Sequence, residues 1–357
     1  MWFQAFLSVR VPASPGYDYG KQHTLHSISI LISTKNRFDD LKECVVSLLA
    51  QSIKPDEIIL VDASDTNNSR EMAETLLMDT GISLTYHRQD VIDGKIRKTM
   101  AWNRAVKTAL GDIVVFLDDD VVLEKDYLSQ LLKAYRENTI PGVVGVMGHT
   151  KNPHNERQKS PMLSSLKKTL YKCFLLYRDD GGGHIQPSGF PAYSSAKDAI
   201  IPVEIMPTCN MSVKKEVFGK FAFDEWFHGY SYQEDDDFTY RVSRKYQFLY
   251  TPFAELTHKT SPAARDNAEK AEAMKALNHF YFFRKNMPKT PKNCLAFLWA
   301  EIGILFFRCV SFASFRDFLL SFTGVTAWRN IPVIKARIRT YASILSQMSR
   351  KGEAKNS

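Results

Sequence analysis

Apolar positions recur along the first third of the chain with two alternating periods. Residues 27–33 (SISILIS) form a short β-branched run that ends in the polar loop Thr34-Lys35-Asn36-Arg37. Residues 41–51 then carry apolar side chains at helical spacing, with Asp39 and Asp40 near their start as cap candidates, and Pro55 ends the pattern. The same reading predicts a strand over 57–61 (EIILV) ending at Asp62, a helix over 69–78, a strand over 83–87, and a helix over 99–110 closed by Gly111. Residues 113–117 (IVVFL) read as a fourth buried strand that stops at Asp118-Asp119-Asp120. Buried strands separated by helices predict a parallel sheet with helices on both faces. Ligands of such sheets bind beyond the carboxyl ends of the strands. Three of these ends carry polar clusters, at 34–37, 62–65 and 118–120.

Elsewhere the pattern changes character. Residues 12–26 are rich in Pro, Gly, Tyr and His without periodicity, and 1–26 read as a leader whose first ten residues lack the basic start of a secretory signal. Residues 151–200 are weakly patterned around Gly181-Gly182-Gly183. Residues 203–258 are dense in polar and aromatic residues, 261–276 read as a polar helix, and 277–326 are aromatic-rich. Of the 357 residues 44% are hydrophobic and 24% charged, which excludes a disordered or fibrous chain. The net charge is +8, but residues 329–357 hold seven Lys/Arg against one acid and supply six of those charges. The body is nearly neutral, so the excess reads as a basic tail and not as a nucleic-acid-binding face. Five cysteines without a CxxC pair favour neither a disulfide framework nor a zinc cage and point to a reducing cytoplasmic compartment.

Three constellations can carry chemistry. Asp118 and Asp120, one residue apart at a strand end, are suited to a hard divalent cation such as Mg²⁺ or Mn²⁺, which in turn binds diphosphate oxygens. In residues 229–241 (GYSYQEDDDFTYR), Glu234 and Asp235 open a run of four acids at a helix start; capping accounts for some of them, and one is available as a general base. His258 follows a strand-like segment at 247–251, where it is placed to supply a third metal ligand.

Taken in order, SISILISTKNR, LKECVVSLLAQSIKPDEIILVD, GDIVVFLDDD, MPTCNMSVKKEVF, FDEWFHGYSYQEDDDFTYRV and YTPFAELTHK resemble the signature segments of family-2 glycosyltransferases. The resemblance implies an α/β chain with the GT-A fold: a Rossmann-like, mostly parallel central sheet flanked by helices, here with a helical C-terminal extension. It implies an inverting, metal-dependent enzyme that uses a nucleotide-diphosphate sugar as donor. By position it assigns Thr34, Asn36 and Arg37 to the nucleotide loop, and Asp62 to the base or ribose. Asp118 would be shared between ribose and metal, with Asp119 beside it in the donor site; Asp120 would touch the metal directly, and His258 is a later metal or phosphate contact. Asp235 matches the catalytic base, with Glu234 as its orienting or acceptor-binding partner. Cys209-Asn210-Met211 line the sugar pocket, and Lys95, Arg97 or Lys98 would offset charge on the diphosphate. Two positions depart from the family pattern. Ala63 stands where a second acid is common, with Asp65 as the substitute, and Ala101-Trp102-Asn103 retains only Asn103 of the usual Arg-Asn pair. No Trp follows an Arg, so the Gln-x-x-Arg-Trp element of processive members is missing and transfer of a single sugar is expected.

The expected organisation is a leader at 1–26, a catalytic domain at 27–260 and a helical region with a basic tail at 261–357. The catalytic domain divides into a nucleotide-binding half, 27–125, and an acceptor half, 126–260. In the last region the nearest approach to a membrane span, 294–313, is interrupted by Glu301 and Arg308, which share a helix face. Its aromatic helices either pack on the body as core or form a platform at the inner face of the cell membrane, with the basic tail on anionic lipid; the second is favoured. The acceptor is then a lipid-linked saccharide or an oligosaccharide of polysaccharide synthesis. Two rivals stand beside this reading: a nucleotidyltransferase, which normally needs a Gly-rich phosphate loop that 34–37 lacks, and a non-catalytic nucleotide-sugar or glycan-binding scaffold on the same fold.

Overall fold

The computed structural model describes residues 27–89, 91–92, 95–96, 98–152, 161–178, 181–194, 196–227, 232–261, 267–310 and 330–356; the expected leader and residue Arg97 lie outside them. Strand β1 (Ile28–Thr34) runs between β2 (Glu57–Asp62) and β4 (Ile113–Asp118), parallel to both, with Ile30 opposite Ile58 and Val115; β3 (Ser83–Arg88) extends the parallel half beyond β2. Helices α1 (Phe38–Leu49), α2 (Asn68–Leu77) and α3 (Lys98–Thr108) make the crossovers. Alternate strand residues serve the two faces, as the two-residue strand period requires. Ile28, Ile30, Ile32, Ile58 and Leu60 pack with Leu41, Val45 and Leu48 of α1, while Leu31, Ile59, Val61, Val114 and Phe116 pack with Trp102, Ala105 and Val106 of α3.

Past β4 the sheet becomes mixed. A short strand β5 (Val121–Leu123) and helix α4 (Tyr127–Glu137) lead to β6 (Val143–Lys151) and then to α5 (Pro161–Cys173). Strand β7 (Ile201–Val203) is followed by β8 (Asn210–Lys214), which inserts antiparallel between β4 and β6. Helix α6 (Glu234–Ser243) precedes β9 (Gln247–His258), which pairs with β6 in parallel and with β7 and β5 antiparallel.

The C-terminal region forms helices α7 (Ala268–Asn286), α8 (Pro291–Cys309) and α9 (Ile331–Asn356). Asn267 and Thr290 start the first two by accepting hydrogen bonds from the backbone N–H of Lys270 and Asn293. Their inner faces are core: Phe282, Phe283 and Phe297 pack with Ile185 and Ile205 of the catalytic body. Helix α5 lies close against α8 because residue 303 is glycine; a Cβ there would come within 2.4 Å of the Phe174 Cβ. Glu301 and Arg308 both turn toward the protein. Glu301 is held by Arg337 through two bonds (Nε 2.7 Å and Nη2 2.8 Å) and by His279 Nδ1 (2.7 Å), and Arg308 pairs with Glu272. Among the described residues no helix is long and apolar enough to cross a membrane.

Candidate active site

The acid triplet divides by direction. Asp118 ends β4 and lines a cavity of about 850 Å³ at the carboxyl ends of the strands. Asp119, buried on the wall of the same cavity, accepts from Thr34 Oγ1 (2.8 Å) and Arg37 Nη1 (3.0 Å). Asp120 accepts from the Ser261 backbone N–H (2.8 Å) and lies 3.0 Å from His258 Nε2; that imidazole nitrogen is also 3.8 Å from Asp118. Antiparallel pairing of β9 with β5, which sets His258 opposite Val121, brings this histidine from the far end of the catalytic body to the triplet. Burial pushes the Asp119 carboxyl up to about 6 in spite of Arg37 and Thr34. At Asp120 burial acts in the same direction, but the His258 and Ser261 hydrogen bonds and the Arg37 charge outweigh it and draw the group down to about 2.

The chemistry of these donors fits a divalent cation. Ligand atoms of Asp118, His258 and Cys209 all lie within 4.8 Å of one another, and Asp120 is ionised beside them. Cys209 enters this group because β8 pairs Asn210 with Leu117 and so sets its neighbour beside Asp118. Sequence reasoning placed Cys209 at the sugar pocket, and nothing in its spacing signalled a possible ligand.

The second constellation faces the first across Lys98. Gln233, with a left-handed backbone (φ 70°), opens helix α6, and the four acids behind it separate. Asp237 is structural: it is buried, paired with Arg241 Nε (2.9 Å) and Lys285, and takes a bond from Asn286 (2.8 Å). Asp236 accepts from Tyr193 Oη (2.9 Å). Asp235 accepts from the backbone N–H groups of Thr208 (3.2 Å) and Asp236 (2.9 Å), and Glu234 lies 4.0 Å from Lys98 Nζ, which is 3.7 Å from Asp118. Burial raises Asp235, opposed by those two N–H groups; burial and the charges of Asp235 and Asp118 push Glu234 well above the usual carboxylate range. Lys98 stays cationic, since the fields of Asp118, Glu234 and Asp235 exceed the effect of its burial. Its ammonium also lies over the Trp102 ring, 4.3 Å from the centroid.

The cavity thus gathers Thr34, Arg37, Asp118, Asp119, Asp120, His258, Glu234, Asp235 and Lys98. Other residues assigned to the donor site are employed elsewhere. Asn36 and Asp65 bond each other (2.8 and 3.0 Å) and build the loop; neither lines the cavity. Asp62 is fully buried, bonded to the Ser64 N–H (2.7 Å) and Tyr86 Oη (3.1 Å), and its neighbour Ala63 reaches the cavity instead. Asn103 clamps the Phe223 backbone through both its carbonyl and its amide (2.9 Å each). Asn210 is buried between Tyr127, Gly148 and Thr150. Lys95 lies in a two-residue strand paired with Val91–Ile92. Gln89, Tyr193, Thr208 and Tyr232 line the cavity without having been singled out, because each lies in a loop or short strand without periodic signal.

Residues 29–195 match the family model described as glycosyl transferase family 2. The glycosyltransferase GlyG of Streptococcus pneumoniae is 27% identical over 118 residues, 33% of this chain and 38% of that protein. An N-acetylglucosaminyltransferase of Azorhizobium caulinodans is 29% identical over 132 residues, 36% of this chain and 32% of that one. This chain therefore matches only about a third of the length of these relatives. Among solved structures, a mannosyltransferase from Pyrobaculum calidifontis in complex with GDP-Man and Mn²⁺ superposes with a TM-score of 0.50 at 16% identity, over 89% of this chain and 86% of that one. The fold is GT-A.

Proposed function

We infer that this chain, a member of the family-2 glycosyltransferases, moves a single sugar from a nucleotide-diphosphate sugar to a hydroxyl of a saccharide acceptor, inverting the anomeric centre. One observation carries the reading: a cation-suited group (Asp118, Asp120, His258) and a carboxylate pair (Glu234, Asp235) share one cavity, with Lys98 between them. The relatives are named as glycosyltransferases, and the mannosyltransferase of like fold holds a nucleotide sugar and Mn²⁺, which supports a nucleotide-sugar donor and a divalent cation, Mg²⁺ or Mn²⁺, for this chain.

Asp118, Asp120 and His258 would hold the cation, which when bound offsets charge on the donor diphosphate. Asp235 removes the proton from the acceptor hydroxyl; the N–H groups of Thr208 and Asp236 aim its carboxylate. The acceptor oxygen then forms the new bond to the anomeric carbon as the bond to the diphosphate breaks on the opposite face. Lys98 places a fixed positive charge beside that leaving group. Glu234, whose carboxyl is pushed up by burial and by its neighbours' charge, lies beside Asp235 where it orients a sugar hydroxyl.

The acceptor reading extends to a lipid-linked saccharide, with the protein peripheral on the inner face of the cell membrane. What supports this is an exposed stripe on α8, Leu295, Leu298 and Ile302, at helical spacing. Thermal-shift titration of the purified protein with UDP-, dTDP- and GDP-sugars, with and without Mn²⁺, tests the proposal. Metal-dependent stabilisation by one donor is expected. A folded protein stabilised by no donor would instead support the scaffold reading.

A further inference from the structure

Helix α3 opens on a cation. Lys98 is its first residue, where the helix dipole opposes a positive charge, and no acid stands in its first turn. The side chain is also largely withdrawn from water, at 20% exposure. One turn further along, Trp102 lies beneath it, with Lys98 Nζ 4.3 Å from the ring centroid. We propose that Trp102 is a positioning residue: its indole face holds the Lys98 ammonium between Asp118 and Glu234 and so keeps that charge directed at the donor diphosphate. The proposal rests on the glycosyltransferase reading and adds the group that sets where its fixed charge stands.

Distance supports it first. Lys98 Nζ is 3.7 Å from an Asp118 oxygen and 4.0 Å from a Glu234 oxygen. A direct hydrogen bond from an ammonium to a carboxylate is about 2.8 Å. Nζ is therefore near both acids and in short contact with neither. An ammonium on a flexible four-carbon stem would otherwise settle on one acid and spend its charge there. The ring supplies the competing attraction, and Trp is the strongest aromatic partner for a cation.

The choice of side chain supports it second. Trp102 is buried, and its Nε1 has no hydrogen-bond partner among the described residues. A buried N–H without a partner costs stability. Phe or Leu would fill this part of the core without that cost. What indole has over both is the more electron-rich face, and Lys98 Nζ lies over that face.

Packing supports it third, because the ring is fixed. Phe116 meets it nearly edge-on with centroids 5.6 Å apart, and Phe223 packs at 5.0 Å. Phe116 lies two residues before Asp118 on β4. Asn103 clamps the Phe223 backbone, and Thr99 Oγ1 donates to the Phe227 carbonyl oxygen (2.8 Å). The support of the ammonium and the strand that ends in Asp118 are thus one packed unit, which sets Lys98 relative to the cation-suited group.

The test is calorimetric titration of the full chain with inorganic pyrophosphate and Mg²⁺, a probe that carries the charge of the leaving group without base or sugar. K98Q is expected to weaken pyrophosphate about tenfold. Mono-, di- and trifluorotryptophan, placed at position 102 alone, keep the shape of the ring and draw electron density from its face. Affinity is expected to fall in that order, to about threefold with the third, at an unchanged melting temperature. W102L should weaken pyrophosphate more than W102F does. In the K98Q background the fluorinated rings should change nothing. Equal affinity along the fluorinated series, the same graded loss with and without Lys98, or unchanged affinity in K98Q each overturns the proposal. A flat series beside a weakened K98Q removes only the role of Trp102. A graded series in a protein that no nucleotide-sugar stabilises removes only the glycosyltransferase reading.

Discussion

Asn278 donates a hydrogen bond to the Tyr232 carbonyl oxygen, 2.8 Å away, so a helix outside the catalytic body holds the chain two residues before Glu234. Asn278→Ala removes that tie. We expect a loss of about 1 kcal/mol in stability, a fall in kcat, and an unchanged donor affinity, read by thermal unfolding and by nucleotide-sugar binding. A variant with wild-type kcat would make the tie purely structural.

Asp235→Asn keeps size and hydrogen-bonding capacity but removes the proton acceptor. Transfer is expected to fall by about 100- to 10,000-fold, with donor and Mn²⁺ binding retained. Full activity would move the base role to another group, Glu234 first.

Metal affinity should follow the ligand geometry. His258→Ala removes the side chain lying 3.0 Å from Asp120 and 3.8 Å from Asp118. Mn²⁺ binding, measured by electron paramagnetic resonance of the free ion, is expected to weaken, and Asn36→Ala, outside the cavity, should leave it as it is. Equal effects in the two variants would contradict the assigned ligand set.

The ion cluster of the C-terminal helices gives the protein an acid-sensitive joint. Burial favours a neutral Glu301, but His279 and Arg337 outweigh it and hold the carboxyl below its ordinary value. A depressed carboxyl contributes stability above its unfolded value, near 4.5, and loses it as pH falls through the folded one. Glu301→Gln leaves the buried Arg337 with Glu272, which Arg308 also pairs, as its remaining carboxylate and should destabilise by about 1.5–3 kcal/mol. The variant's unfolding free energy should also vary less with pH below the ordinary carboxylate range than that of the parent. Parallel pH profiles would assign the acid sensitivity elsewhere.

Gly303→Ala introduces a Cβ at 2.4 Å from that of Phe174. The α5–α8 contact must open, at a cost of about 1–3 kcal/mol. Trp299, whose indole N–H donates to the Cys173 carbonyl, reports the movement through its fluorescence. An unshifted spectrum and melting temperature would mean that the helices accommodate the methyl group without separating.

Local pattern determined the parallel half of the sheet. The runs at 27–33, 57–61 and 113–117 became β1, β2 and β4 within a residue or two, since a strand buried on both faces is apolar throughout and its ends are polar; the half-exposed run at 83–87 became the outer strand β3. The acids and His258 were visible for the same reason, as charged or titratable residues directly after such strands. Tertiary structure decided how they are used. Four consecutive acids at 234–237 look alike in sequence, yet Asp237 is neutralised by Lys285 and Arg241 while Asp235 faces the cavity, because a helix turns each side chain by about 100°. Asn103 and Asn210 fit a donor site by type and became clamps, because the groups they satisfy come from segments 60 to 120 positions away. The far end of the cavity had no local signature at all. Its wall is assembled from four helices, and a side chain's cost of burial and its partners exist only once those helices meet.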